Sequence, residues 1–341
     1  MTPLTAHSII SFLLSFLPVV VFLIALVLID SYKLVALRHV LNAILVGCIV
    51  LFVCLWINTF LMNGLKIDTE TYARYVAPFT EELFKGAFVV YLIWRKRIGF
   101  MVDASIYGFA IGAGFAIVEN VFYFKILSDP DLLLWIIRGF GTAIMHGGVT
   151  AIMGIVSMYY SSRFAANRFF VYLPGLLLAV VVHSVFNHFV LPPQLSPVVL
   201  LVVLSVLIAA VFRASEKGTR VWLGVRFDTD AELLEIINTG KTSESRVGEY
   251  LRSLQSRFPG QVVADMLCML RLHLELSIRA KGILLMRETG FKIPQEPEIE
   301  ERLRELKYLE KNVGHTGLRA ISPILNMSDK DLWQLYMLGR R

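Results

Sequence analysis

Glu81, Glu82 and Lys85 stand in one strongly apolar stretch, Glu119 in the next, His146 in a third and His183 in a fourth. A charged side chain in hydrocarbon costs several kcal/mol unless it is paired or faces a wet cavity. Ionisable groups on four successive apolar segments therefore predict a polar site built inside a membrane. Adjacent carboxylates project about 100° apart around a helix. Lys85 follows at i+4 from Glu81 and i+3 from Glu82, so its ammonium falls between the two carboxylates and can pair with either, most readily with Glu81 by the favoured Glu-to-Lys i,i+4 geometry. Two acids beside one base leave one carboxylate uncompensated, and such a group suits general-base chemistry.

The remaining candidates lie around these. Glu119 sits one turn from Phe115 and from Tyr123, with Asn120 adding an amide; a lone buried carboxylate needs a partner from another helix. His146 is followed at i+4 by Thr150, and His183 at i+4 by Asn187, so each imidazole shares a face with a hydrogen-bonding side chain. Gly108, Gly112 and Gly114 form a small-residue face that invites close helix approach. With about 1.5 Å of rise per residue, Glu81, Glu119 and His183 fall about 10–13 Å below the outer ends of their spans. His146 joins that layer if Arg138 snorkels at the outer boundary.

The elements that must carry these groups are apolar helices. Of 341 residues, 56% are hydrophobic and 18% charged, far from the balance of a soluble domain of this length. Seven segments are long enough to span, near residues 9–29, 39–62, 72–94, 104–126, 132–160, 169–191 and 197–212. Lys33, Arg38, Arg95 to Arg97, Arg163, Arg168, Arg213, Lys217 and Arg220 fall in alternate connections. The others hold Lys66 and Arg74 diluted by Asp68 and Glu70, Lys125 beside Asp129 and Asp131, and the uncharged Pro192-Pro193. The positive-inside rule then puts the N-terminus outside and the C-terminus in the cytoplasm.

The predicted architecture is an all-α polytopic membrane bundle over residues 1–212, followed by a small helical cytosolic domain over 213–341. The second part carries apolar residues at i, i+3, i+4, i+7 in Glu232 to Ile237 and Met266 to Leu276, the pattern of amphipathic helices. Pro259-Gly260, Pro294 to Pro297 and Ser322-Pro323 predict breaks between them. Its 21 Lys and Arg against 18 Asp and Glu leave no basic patch, which argues against nucleic acid. Cys48, Cys54 and Cys268 make neither a CxxC nor a Cys/His cluster, so no thiolate zinc site is expected.

Glu81-Glu82-Leu83-Phe84-Lys85, Phe115 to Glu119 with Asn120, His146, and His183 to Asn187 together resemble the ordered motifs of the PrsW family of intramembrane proteases. The likeness covers roughly residues 70–190. Related type II CAAX prenyl endopeptidases have Arg after the Glu pair and His where Glu119 stands, which favours the PrsW branch. The resemblance implies peptide-bond hydrolysis, with Glu81 as base and Glu82 assisting. His146 and His183 would bind the water or the oxyanion with help from Asn187, while Glu119 orients a histidine or the water. Lys85 and Asn120 support. Glu119, His146 and His183 could instead hold a divalent metal such as zinc. The HExxH spacing is absent, and a metal-free mechanism stays open beside the metal one.

The expected substrate is a single-span membrane protein, such as an anti-sigma-factor-like regulator, cut near the extracytoplasmic side of a bacterial inner membrane. A cytosolic regulator acting on residues 213–341 would be a further partner. An ion-coupled transporter or a non-catalytic scaffold are the competing readings. A proton relay, however, distributes polar groups through the whole bilayer rather than gathering them in one layer.

Overall fold

The computed structural model describes residues 6–30, 32, 35–127, 131–164, 169–192, 194–241, 245–289, 291, 298–325, 333, 337 and 338. Lys33, Asp129, Arg168, Pro193 and the break at Pro294 to Pro297 lie outside them. Among the described residues every regular element is helical, so the all-α expectation holds. The chain divides into two units, Met1–Ser215 and Glu216–Arg341.

The first unit contains α1 (Ala6–Ile29), α2 (Leu37–Leu65), α3 (Ala77–Trp94), α4 (Met101–Ile126), α5 (Leu132–Arg163), α6 (Leu173–Asn187) and the start of α7 (Leu195–Asn238). These occupy the seven expected segments. Five are long and apolar enough to cross a membrane. Of the other two, α3 carries Glu81, Glu82 and Lys85. The 15 residues of α6 reach only about 23 Å, short of the roughly 30 Å hydrocarbon core. Phe12, Leu17, Phe52, Trp56 and Phe60 of α1 and α2 point outward. Water would not tolerate such a continuous apolar exterior and lipid does; the protein is an integral membrane protein.

Helix α4 is the hub. Almost every side chain from Val102 to Ala116 is buried, as expected of a helix apolar all round. It packs on α5, on α2 and on α1. The three α4 glycines do not share one partner: Gly108 and Gly112 lie against Thr150 and His146 of α5, whereas Gly114 lies against Ile44 of α2. At Gly112 a Cβ would stand 2.1 Å from the His146 carbonyl oxygen, so the α4–α5 contact requires glycine. Gly112→Ala is expected to lower stability by about 1–3 kcal/mol through overpacking. Thermal unfolding in detergent checks this, and an unchanged midpoint would contradict the packing.

Two π-helical turns interrupt the α geometry. Tyr72–Val76 immediately precedes α3, and Ile137–Ala143 lies within α5. Each lodges an extra residue in the helix and resets the register of the residues beyond it, as π turns at functional positions often do.

The second unit contains α8 (Arg246–Leu254), α9 (Gly260–Glu288) and α10 (Glu298–Leu325) with the end of α7. Met266, Leu270, Leu274 and Leu284 of α9 and Leu306, Leu309 and Val313 of α10 are buried where these helices pack. Lys281 is wholly buried, but its Nζ donates to Asp230 at 2.5 Å and to Ser277 at 3.0 Å, which satisfies the cation. The break predicted at Ser322-Pro323 is not there: Pro323 lies inside α10. The interruption falls at Gly314 (φ 70°, ψ 170°), a conformation that glycine alone adopts readily.

Candidate active site

The site starts from a backbone fault. Pro78 has no N–H, so the carbonyls of Ala73 and Arg74, its i−5 and i−4 partners, lose their donor. Two side chains of α6 replace it: Asn187 Nδ2 donates to the Ala73 oxygen at 2.9 Å and Ser184 Oγ to the Arg74 oxygen at 2.6 Å. Helix α6 is thereby clamped to the π turn that leads into α3, about two helical turns before Glu81. One N–H of Asn187 is thus committed to backbone, and the amide makes no bond to His183 among those of the described residues. The shared face expected from the i+4 spacing therefore serves the helix contact at Ala73 as well.

From this clamp the ionisable groups form one connected chain. Glu82 Oε1 accepts from Lys85 Nζ at 2.5 Å and from His183 Nδ1 at 2.7 Å, and Thr150 Oγ1 donates to Glu82 Oε2 at 3.4 Å. Lys85 Nζ also lies 3.1 Å from His146 Nδ1. His146 Nε2 lies 3.0 Å from Glu119 Oε2. The two imidazoles are 5.0 Å apart and nearly perpendicular. Phe115 floors the centre, with Lys85 Nζ 4.6 Å above its ring.

Lys85 therefore pairs with Glu82, not with Glu81 as the i,i+4 rule predicts. The rule describes isolated surface helices. Here His183 supplies Glu82 with a second donor and fixes its carboxylate where the ammonium can join it. Glu81 is left with His183 Nε2 at 4.0 Å as its nearest ion-pair partner. Its side chain is 15% exposed, against 0% for Glu82 and Lys85. Of the adjacent acids, Glu82 is the buried strut and Glu81 the accessible group.

The bonds also assign tautomers. A carboxylate only accepts, so His183 donates through Nδ1–H to Glu82 and keeps a lone pair on Nε2, the nitrogen facing Glu81. Lys85 only donates, so His146 accepts at Nδ1 and donates through Nε2–H to Glu119. Both nitrogens of His146 are engaged, which removes it from direct water binding in this arrangement.

Arg138 is the member that sequence reasoning misplaced. Rather than snorkelling at a boundary it is buried, with Nη2 3.3 Å from Glu119 Oε1 and Nε donating to Asn120 Oδ1 at 3.0 Å. Asn120 Nδ2 in turn donates to the Ser15 carbonyl of α1 at 2.9 Å. The need of Glu119 for a partner on another helix was the available signal.

For a metal, the expected set of Glu119, His146 and His183 is revised. Glu81, His146 and His183 bring ligand atoms within 4.8 Å of one another, whereas Glu119 is held by Arg138 and His146. One carboxylate and two imidazoles are a fitting donor set. Each imidazole also leans on a further carboxylate, Glu82 or Glu119, as metal-binding histidines do. A cation on His146 Nδ1 would take the place of the Lys85 contact there.

A polytopic helical membrane protein enclosing a Glu/His centre of this kind defines the class: an intramembrane enzyme of hydrolytic composition. The chain belongs to the PrsW family, since the model described as PrsW family intramembrane metalloprotease matches residues 35–213. No curated protein and no solved structure matches the chain. Membership in this family of intramembrane proteases supports proteolysis within the membrane as the activity.

Proposed function

We propose that the protein hydrolyses a peptide bond of a single-span membrane protein at Glu81 and His183. The observation that carries this reading is the pairing of two unclaimed acceptors, Glu81 Oε2 and His183 Nε2, 4.0 Å apart. One water molecule can bond both at the usual distance of about 2.8 Å. Both of its protons are then engaged, and a lone pair on its oxygen is free to attack a carbonyl carbon. Glu81 accepts the proton as attack proceeds and returns it to the leaving amine, the general-base and general-acid roles of one carboxylate. Glu82, anchored by Lys85, holds His183 in the tautomer that keeps Nε2 open. A divalent cation such as zinc, held by Glu81, His146 and His183, would take the place of that water bridge and supply Lewis-acid polarisation.

The depth of the site sets the substrate. A site about 10–13 Å beneath the outer surface reaches the outer part of a transmembrane helix and no cytoplasmic bond. Helical carbonyls are tied up in i to i−4 bonds, so cleavage falls where Gly, Pro or Ser loosens the helix. An anti-sigma-factor-like regulator of a bacterial cell membrane meets these conditions, with the N-terminus of the protease outside and residues 213–341 in the cytoplasm.

Purified protein in vesicles is offered a library of labelled single-span reporters carrying a Gly-Pro pair at different depths. The expected result is cleavage of those with the pair in the outer half, with product termini mapped there by mass spectrometry. Cleavage on the cytoplasmic side, or of soluble proteins alone, would count against it.

A further inference from the structure

We infer that Arg138 is a positioning residue of the proteolytic centre, acting through Glu119 on His146. The inference rests on the proteolytic reading above. Arg138 and His146 are eight residues apart, which in an unbroken α-helix puts them roughly 80° apart around the axis. The π turn Ile137–Ala143 contains Arg138 and most of the stretch leading to His146, and it lodges one extra residue. Eight residues then turn the chain about as far as seven do in an α-helix, and the offset shrinks to about 20°. The two side chains share a face because of this fault in the helix. It aims both at the same carboxylate from α4: Arg138 at Oε1 and His146 at Oε2 of Glu119.

The surroundings hold the guanidinium in place without using up its charge. Its carbon stands 3.7 Å from the centre of the Tyr123 ring, and Nε is tethered to Asn120. Nη2 is buried without an aligned hydrogen bond, so its tie to Glu119 is ionic rather than directional. Held on one oxygen by that charge, Glu119 keeps the other on His146 Nε2–H. His146 thereby presents Nδ1 to Lys85, the same ammonium that fixes Glu82 and His183. Arg138 touches neither the proposed water nor Glu81. Its effect passes through this chain, as outer-shell partners act in hydrolytic centres.

The test uses the full-length protein in vesicles and the reporter that the wild type cleaves best. Arg138→Gln keeps an amide for Asn120 and removes the charge. Its kcat is expected to fall about 10–100-fold with KM unchanged. Arg138→Lys, which restores the charge, recovers most of the loss. Glu119→Gln falls at least as far as Arg138→Gln, and the double variant falls no further than Glu119→Gln alone, since the route through Glu119 is already cut. If Arg138→Gln does not fold, Asn120→Asp, which keeps an oxygen for Arg138 Nε and removes the bond to the Ser15 carbonyl, is compared with Asn120→Ala, which removes both, and the tether is read from the further drop in Asn120→Ala. Multiplied losses in the double variant, or full activity in Arg138→Gln beside an impaired Glu119→Gln, overturn the inference and leave the proteolytic reading standing. Full activity in Glu119→Gln likewise overturns the inference and leaves the proteolytic reading standing, whereas a wild type that cleaves no reporter overturns both.

Discussion

Glu81→Gln is expected to reduce cleavage of the reporter by about 10²–10⁴-fold, the usual worth of a positioned general base, while the protein unfolds at an unchanged temperature. The amide keeps the shape of the side chain and removes the lone pair that takes the proton. Stability should be indifferent because Glu81 makes no close ion pair; its nearest such partner is 4.0 Å away. Reporter cleavage and thermal unfolding in the same detergent preparation read the two effects separately. A variant that cleaves at the wild-type rate removes Glu81 from the chemistry.

The neighbouring acid is expected to differ in its effect on folding. Glu82→Gln should lower stability by about 3–5 kcal/mol, the range for removing one partner of a buried ion pair. Glu82 and Lys85 are wholly buried and 2.5 Å apart, and His183 depends on the same carboxylate oxygen. Loss of that charge leaves an ammonium in an apolar interior with only an imidazole and an aromatic face beside it. The compensating change is Lys85→Met. The double variant should be less destabilised than the sum of the single ones, because no uncompensated charge remains. Thermal unfolding measures all three. A Glu82→Gln protein as stable as the wild type would show that the carboxylate is no strut, and strictly additive losses would dissolve its pairing with Lys85. The two adjacent glutamates are thus separable by folding: both variants lose rate, because Glu82 also orients His183, and only Glu82→Gln loses stability.

The amino-acid sequence by itself determined the class and the cast. Apolar runs long enough to span lipid can satisfy their backbone only as helices, so an all-α bundle was legible. Glu81, Glu82, Lys85, Glu119, His146 and His183 stood out because such groups are too costly in lipid to be there without partners. Helical rise put Glu81, Glu119 and His183 at a common depth, whereas the place of His146 rested on a boundary position that Arg138 does not take; the family they resemble is the one whose model matches.

Tertiary structure decided who holds whom. Lys85 goes to Glu82 because His183, 101 residues away in the chain, brings that carboxylate its second donor. The family resemblance implies a hydrogen bond from Asn187 in the chemistry, yet Pro78 frees carbonyls that Asn187 and Ser184 of α6 satisfy. Arg138 reaches Glu119 because a π turn shifts its register, and no periodicity count anticipates an inserted residue. Side-chain type and helical phase are local properties and can be read along the chain. The choice among several nearby hydrogen-bond partners depends on which helices pack together, and that is settled only when they do.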